Sequence, residues 1–544
     1  MTPGRVTLAL CLMGAGLFGP HQAFSQSAVI IDQNRADRAA PAPAPEAPAP
    51  KGGGQALPVQ AAITPFTVTG VRLEKASIRP AQLGGAFRPF IGQRMDAAGL
   101  NALAQATAAA YAKSDVALYT VLVPVQDFSG GMVRMRVIEG YIASIDVRDL
   151  GGAKAYLPRV RSMAARLLAQ RPLSKASLER AILLIRDLPG VSADVQLLKA
   201  PADGAVTLSI GVKRQLIEAG VGVNDRGTAA LGQTQVSGTL IGNGLLRPGE
   251  RTSFTVMLPT DPSLFQYYAI AHSELLNDDG LTGQVSFGYL HTRPKIFPLE
   301  GSATTAGASL SYPVIRSNAR NLTVTGSLDG TNSDNAFLGR AFSADHTRAV
   351  RGAAAFSQIL GKVTVAASGA ASLGLDVLGA QVTSDLLSNK DFRKVNLRAG
   401  LDYAFVPQWA LRLRAAGQYS GDRLPAAEQM ALGGDEFGRA FPSAAVVGDS
   451  GAAGSAELAY APKHLPSLLK GSELFGFVDG GELWSLDRTI VPAQTYELAS
   501  AGFGARMAVT TKTAFQLEAD TALKSPIPDA YGGWRVVAAV RTLY

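Results

Sequence analysis

Trp534-Arg535-Val536-Val537-Ala538-Ala539-Val540-Arg541-Thr542-Leu543-Tyr544 reads as a strand with two unlike faces. Successive side chains of a strand point to opposite sides. The even positions are Trp534, Val536, Ala538, Val540, Thr542 and Tyr544; the odd positions carry Arg535 and Arg541. An apolar face with an aromatic at each end, about ten residues apart, has the height of a bilayer core between two aromatic girdles. Arginine on the opposite face belongs in water.

The same pattern recurs upstream. In Trp409-Ala410-Leu411-Arg412-Leu413-Arg414-Ala415, continuing to Tyr419, the odd positions are apolar and the even ones include Arg412, Arg414 and Gln418. In 281–290, Val285, Phe287 and Tyr289 oppose Gln284 and Ser286. After Gln215 about 16 such segments can be marked, and roughly 330 residues over 16 strands leaves ~20 per strand and loop, which suits an antiparallel transmembrane β-barrel. A soluble sandwich also alternates, but its apolar face is the inner one and needs no aromatics at both ends. A barrel leaves no open strand edge in lipid. Charged residues are 17% of the 544, while Gly reaches 58. After the N-terminus no apolar run is long enough for a membrane-spanning helix. Net charge is +8 without any block of Lys and Arg, which argues against nucleic acid as a partner.

At the N-terminus Arg5 precedes a mostly apolar run, 6–18, and then Ala23-Phe24-Ser25. This pattern predicts a secretory signal over 1–25, with export to a compartment outside the cytoplasm. Cys11, the single cysteine, lies inside the signal and too early for a lipoprotein site, so the mature chain is expected to have no thiol or disulfide. Residues 26–63 form an N-terminal segment and linker. Proline at nearly every second position over 41–50 stiffens it, and Lys51-Gly52-Gly53-Gly54 loosens it again.

From 64 to 147 the pattern is strand, helix, helix, strand, strand. Asp96 can cap a helix whose apolar face is Leu100, Leu103, Ala104, Ala110 and Tyr111, with Thr107 as its polar interruption. Val121-Leu122-Val123-Pro124-Val125-Gln126-Asp127 runs into a Gly-rich turn, and Arg136-Val137-Ile138-Glu139-Gly140-Tyr141-Ile142 follows. Together these stretches resemble a POTRA domain of the two-partner secretion transporters, with Pro124, Gln126, Asp127, Glu139 and Gly140 carrying the motif. A second unit, 148–214, is similar to that family's second POTRA domain. Pro172-Leu173-Ser174 opens a helix in which Leu178, Ile182 and Ile185 share a face, and 206–212 alternates as a final strand. A generic α+β module would read alike. The resemblance adds an exposed sheet edge that can accept an extended client as one more strand.

The barrel then occupies 215–544, and its longest gap between strands is 421–450. There Leu432-Gly433-Gly434-Asp435-Glu436-Phe437-Gly438-Arg439-Ala440-Phe441 carries one cation between two aromatics. The family's sixth extracellular loop has a tip of the type Val-Arg-Gly-Tyr/Phe folded back into the pore. Gly438-Arg439-Ala440-Phe441 resembles it, with Gly438 for the β-branched residue and Ala440 for glycine. Phe477-Val478-Asp479-Gly480-Gly481 is similar to the family's Phe-x-Asp-x-Gly strand, here Phe477, Asp479 and Gly481. If Leu474 and Val478 face lipid, Asp479 faces the lumen. The resemblance implies that Arg439 pairs with Asp479, and a guanidinium fork can meet a carboxylate with two hydrogen bonds. Solvated charges in a wet pore are the bland alternative.

Other chemistries find little support. Gly448-Asp449-Ser450-Gly451 echoes the nucleophile segment of trypsin-like proteases, but a triad needs a histidine held by a carboxylate, and His272, His291, His346 and His464 all fall in barrel segments or turns. They show no zinc spacing. Asp278-Asp279-Gly280 is a hairpin turn rather than a calcium loop. No enzyme activity, cofactor or metal is expected. The resemblance implies an outer-membrane translocator with periplasmic POTRA domains. It takes up an unfolded secreted partner, an adhesin, haemolysin or similar exoprotein, and passes it through the barrel. The loop tip and the N-terminal segment would obstruct the resting pore. Outer-membrane lipid surrounds the barrel, and the barrel assembly machinery inserts it, for which an aromatic such as Tyr544 resembles the signal. An assembly or insertion factor of the same superfamily, and a passive porin, are the competing readings.

Overall fold

The computed structural model describes residues 53–543 apart from 60–62, 296–297, 339, 467–468, 490, 511 and 527–531. The expected signal peptide, the proline-rich part of the linker and Tyr544 lie outside the described residues. The chain divides into two compact units, one holding the strands after Gln215 and the other the α+β modules.

The C-terminal unit is a closed antiparallel barrel of sixteen strands. It begins with Ile217–Asn224 and closes when Trp534–Leu543 pairs with that first strand, from Gly220↔Leu543 to Asn224↔Ala539. Period-two alternation sorts its side chains. Val285, Phe287, Leu413, Leu474, Val478, Trp534 and Val536 are exposed on the outside, Trp534 to 63%, whereas Phe475, Phe477 and Asp479 are buried inside. A continuous exposed apolar band of this kind is a lipid-facing surface. An even number of strands returns the chain to the side on which it entered. On that side most turns are short, such as 317–319, 361–362 and 407–408; on the other lie 375–392 and the 30-residue loop between Trp409–Tyr419 and Ser450–Tyr460. Asp278-Asp279-Gly280 is one of the turns: the Asn277 carboxamide oxygen accepts the Asp279 and Leu281 N–H groups at 3.0 Å, and Gly280 takes φ +95°.

The N-terminal unit holds two modules. In the first, the helix Ala97–Ala112 begins where the Asp96 carboxylate accepts the Gly99 N–H at 2.9 Å. Leu100, Leu103, Ala104 and Tyr111 are buried on its inner face. Thr107 sits there too because its hydroxyl donates to the Leu103 carbonyl at 2.8 Å. The sheet order is Gly53–Ala56, Leu118–Leu122, Met132–Glu139, Gly70–Glu74. Its first member differs from the sequence reading: Gly53–Ala56 is an edge strand, parallel to Leu118–Leu122, rather than linker. In the second module the sheet order is Tyr141–Gly151, Ala205–Arg214, Val191–Lys199. Ser174 caps the helix Lys175–Arg186, and a further helix, Leu157–Ala165, had no clear signal in the sequence. Because Tyr141–Gly151 hydrogen-bonds to Ala205–Arg214, the break between the sheets falls at Gly140, not at 147/148.

Candidate functional site

The long loop folds back against the barrel wall. Its short strands Met430–Leu432 and Val446–Gly448 pair with each other, from Met430↔Gly448 to Leu432↔Val446. Between them Gly433, Gly434 and Gly438 take φ of +106°, +111° and +80°. The left-handed residue of the tip is thus Gly438, and the alanine at 440 is not asked for a positive φ. Leu432, Phe437, Phe441, Ala445 and Val446 pack against Ala453, Leu483 and Leu498 of the wall. Burying Phe441 completely contributes about 1.5–3 kcal/mol to holding the loop in place. Gly481 makes room for it: a Cβ there would meet Leu432 at 2.8 Å and the Ala452 carbonyl at 2.6 Å.

Arg439 is brought inside with 9% of its surface exposed. Its Nη1 donates to Glu457 Oε2 at 3.1 Å, its Nε stands 3.6 Å from Asp479 Oδ2, and Glu518 Oε2 is 3.7 Å from Nη1. The guanidinium carbon lies 4.1 Å from the centre of the Phe477 ring. Arg439 and Asp479 are therefore neighbours, but not through the two-pronged hydrogen bond expected of a guanidinium. Asp479 instead accepts the Gly438 N–H at 2.9 Å, the Arg439 N–H at 3.4 Å and the Ser500 hydroxyl. It holds the tip's backbone, while Glu457 takes the side chain's hydrogen bond.

Glu473, Arg506, Glu518 and Arg226 had not been singled out from sequence, and Glu457, noted there only as part of the entry into the next strand, had been given no role in the site. Glu457 accepts from Arg412 at 2.8 Å and from Arg506 at 2.7 and 2.8 Å. Glu473 bridges the same two arginines at 2.7–2.8 Å. Arg506 stacks over Phe475 at 3.9 Å, and Arg226 joins Glu518 at 2.7 Å. Glu457, Glu473, Arg506 and Glu518 sit at lumen parity on alternating strands, and that parity is the signal that could have nominated them, whereas Arg226 lies in the loop after Ile217–Asn224 and had no such signal.

A second set of charges holds the loop's base. Glu428 is fully buried and receives Arg351 Nη2 at 2.8 Å and Lys394 Nζ at 2.7 Å, while Arg351 also grips Asp329 at 2.7 and 2.8 Å. At the far end of the loop Asp449 accepts the Leu424 N–H, the Leu486 N–H and Arg488 Nη2 at 2.7–2.8 Å. Ser450 exchanges hydrogen bonds with the Ser420 backbone at 2.9 and 3.1 Å. The protease-like Gly448-Asp449-Ser450-Gly451 therefore fastens the loop.

Away from the loop the lumen keeps an unfilled cavity of about 340 Å³, lined by small polar residues such as Ser286, Thr305, Ser309, Thr325 and Thr331.

In the first module the nominated motif residues shape the scaffold. The Gln126 side chain donates to the Arg134 carbonyl at 2.7 Å and accepts its N–H at 2.9 Å, which holds the turn begun at Pro124 against the neighbouring strand. Asp127 caps that turn by accepting the Ser129 N–H and hydroxyl at 2.9 and 2.7 Å, and these bonds lower its carboxyl below the usual range. Glu139 accepts from Ser77 and from the Tyr111 hydroxyl, 2.9 Å away; burial first, and then this bond, push the phenol above its ordinary value. At Gly140 a Cβ would meet Leu118 at 2.6 Å. The Gly140 N–H donates to the Leu118 carbonyl and its own carbonyl accepts from Leu173, so it joins the two modules.

Two family models match the chain: "Haemolysin secretion/activation protein ShlB/FhaC/HecB" over residues 284–507 and "POTRA domain, ShlB-type" over 66–140. The outer membrane transporter CdiB of Dickeya dadantii is 22% identical over 379 residues, 66% of this chain and 66% of that protein. The heme/hemopexin transporter protein HuxB of Haemophilus influenzae is 21% identical over 241 residues, 43% of this chain and 42% of that protein. The chain thus spans somewhat less than two thirds of one curated relative and under half of the other. The structure of CdiB from Escherichia coli superposes with a TM-score of 0.69 at 18% identity, covering 100% of this chain and 99% of that one. With ShlB-type models over both the first module and most of the barrel, the chain is similar to the haemolysin secretion/activation family of two-partner secretion outer-membrane transporters.

Proposed function

We propose that this chain carries a large secreted exoprotein, of adhesin or haemolysin type, across the outer membrane. The partner reaches the periplasm unfolded, binds the α+β modules by strand addition, threads the barrel as an extended chain and folds outside. Folding outside supplies the pull; the chain itself catalyses no reaction and uses no cofactor. The barrel assembly machinery installs it in the membrane.

The observation that carries this reading is the seated loop tip, with Arg439 buried against Glu457, Asp479 and Glu518 inside a closed barrel. A passive porin has no use for a charged plug held at both of its bases. The arrangement suits a conduit whose occupant can be released: ion pairs and backbone hydrogen bonds fix the tip in one place, yet can re-form with water once it leaves. The wall lined by Ser286, Thr305, Ser309 and Thr325 suits passage, because small hydroxyls satisfy an extended backbone in turn without gripping any one side chain.

Arg439→Ala tests the reading. It removes a charge-assisted contact worth about 1.5–3 kcal/mol and takes from Asp479 its neighbouring cation, while Glu457 keeps Arg412 and Arg506 and Glu518 keeps Arg226. Export of a co-expressed exoprotein that the unaltered chain secretes, read by immunoblot of the medium, is expected to fall at least tenfold. The barrel should remain in the outer membrane at wild-type level with unchanged heat-modifiable mobility. Normal export by this variant would overturn the role given to the loop. Loss of many outer-membrane proteins on depletion of the chain would favour the assembly-factor reading instead.

A further inference from the structure

The strand-accepting edge of the first module is already taken by the chain itself. Gly53–Ala56 runs parallel along Leu118–Leu122, from Gly53↔Leu118 to Ala56↔Val121, and the Leu57 N–H continues the ladder to the Val121 carbonyl at 2.8 Å. Val59 is tied down by the Asn101 side chain at 2.7 Å. The edge beneath is Leu118-Tyr119-Thr120-Val121-Leu122, rich in β-branched and aromatic residues. Left open, such an edge pairs indiscriminately with other chains.

The occupant is poorly suited to stay. Two of its four residues are glycines, which lose more freedom on ordering than other residues and offer no side chain to pack. Three of the four are exposed. Its pairing is parallel, the slightly weaker geometry. Gly54 is required, because a Cβ there would meet the Tyr119 ring at 2.3 Å. An antiparallel newcomer with β-branched side chains would hold the same edge better.

We propose that residues 53–57 are a built-in, displaceable guard strand on the first module, and that an incoming exoprotein segment must evict it before adding to Leu118–Leu122. This rests on the translocator reading above and names the step by which that reading begins: the resting edge is shielded from stray chains and opens only to a strand that pairs better than two glycines do.

The test uses the full chain in detergent and, as probe, a fluorescent peptide with the sequence of residues 52–59, Gly-Gly-Gly-Gln-Ala-Leu-Pro-Val, followed by anisotropy. Three forms are compared: wild type, a deletion of 53–57, and a stapled form with Gln55→Cys and Thr120→Cys, residues that pair directly in the sheet. The deletion is expected to bind the peptide at least tenfold more tightly than wild type. The oxidised staple should not bind it, and reduction should restore the wild-type level. Equal binding by all three, or no binding by the deletion, would overturn the proposal. In cells, the closed staple is expected to reduce exoprotein export at least tenfold relative to either single-cysteine variant. Normal export with the staple closed would overturn the eviction step. The peptide arm needs no export, so it judges the guard strand even if the translocator reading fails.

Discussion

Arg439 faces three carboxylates, Glu457, Asp479 and Glu518, and Glu457 in turn faces three guanidinium groups, Arg412, Arg439 and Arg506. Reciprocal clusters of this kind keep buried charge neutral without committing any residue to one partner. They also make the fork of arginine matter, since a lysine would offer a single point charge and could not stack flat on Phe477. Arg439→Lys is therefore expected to keep the barrel assembled but loosen the tip, giving larger and noisier single-channel conductance in planar bilayers than wild type. Wild-type conductance would show that charge alone holds the tip. Asp479 could be nominated from its strand parity and from a motif, and Arg439 from the motif of the loop tip. Glu457, Glu473 and Arg506 could not be assigned partners, because those follow from register between strands: Arg412 lies opposite Glu457, and Glu473 opposite Arg506. Alternation along one strand says which face a side chain takes but nothing of what stands across from it.

At the scale of elements, the loop is fixed at its base as well as its tip. Glu428 sits with Arg351 and Lys394, all three side chains fully buried. Removing one partner of a buried pair costs about 3–5 kcal/mol, because the survivors are left charged and dry. Glu428→Ala is expected to lower the temperature at which the barrel loses its compact mobility on gels and to expose 421–450 to protease. An unchanged midpoint and an intact loop would place the loop's hold entirely at the tip. Element boundaries were the least legible part of the sequence. Gly52-Gly53-Gly54 reads as a loosened spacer because glycine disfavours strands, yet Gly53 and Gly54 lie in one; the close approach to Tyr119 explains the choice of residue but appears only when the fold is assembled. Likewise Glu139-Gly140 reads as a turn within one domain, whereas the backbone at Gly140 bonds to both modules.

For the whole molecule, the class was readable because lipid imposes a simple rule: apolar outward, polar inward, no open edge. Trp534, Val536 and Val540 on the outside and Val537 buried on the inside follow it. What the rule leaves open is which part of the lumen is filled. The charged wall made by 409–419, 450–460 and 473–485 receives the loop, and the Ser- and Thr-lined wall opposite in the sequence of strands stays empty. The central claim is that the exported chain passes through this lumen. A benzophenone-bearing amino acid installed at Ser455, which lines the inner wall beside Glu457, or at Leu458, which is exposed on the outer face, reads the path directly during export in cells. Adducts to the exoprotein from 455 and none from 458 are the expected result; no adduct from 455, or equal adducts from both positions, would contradict it.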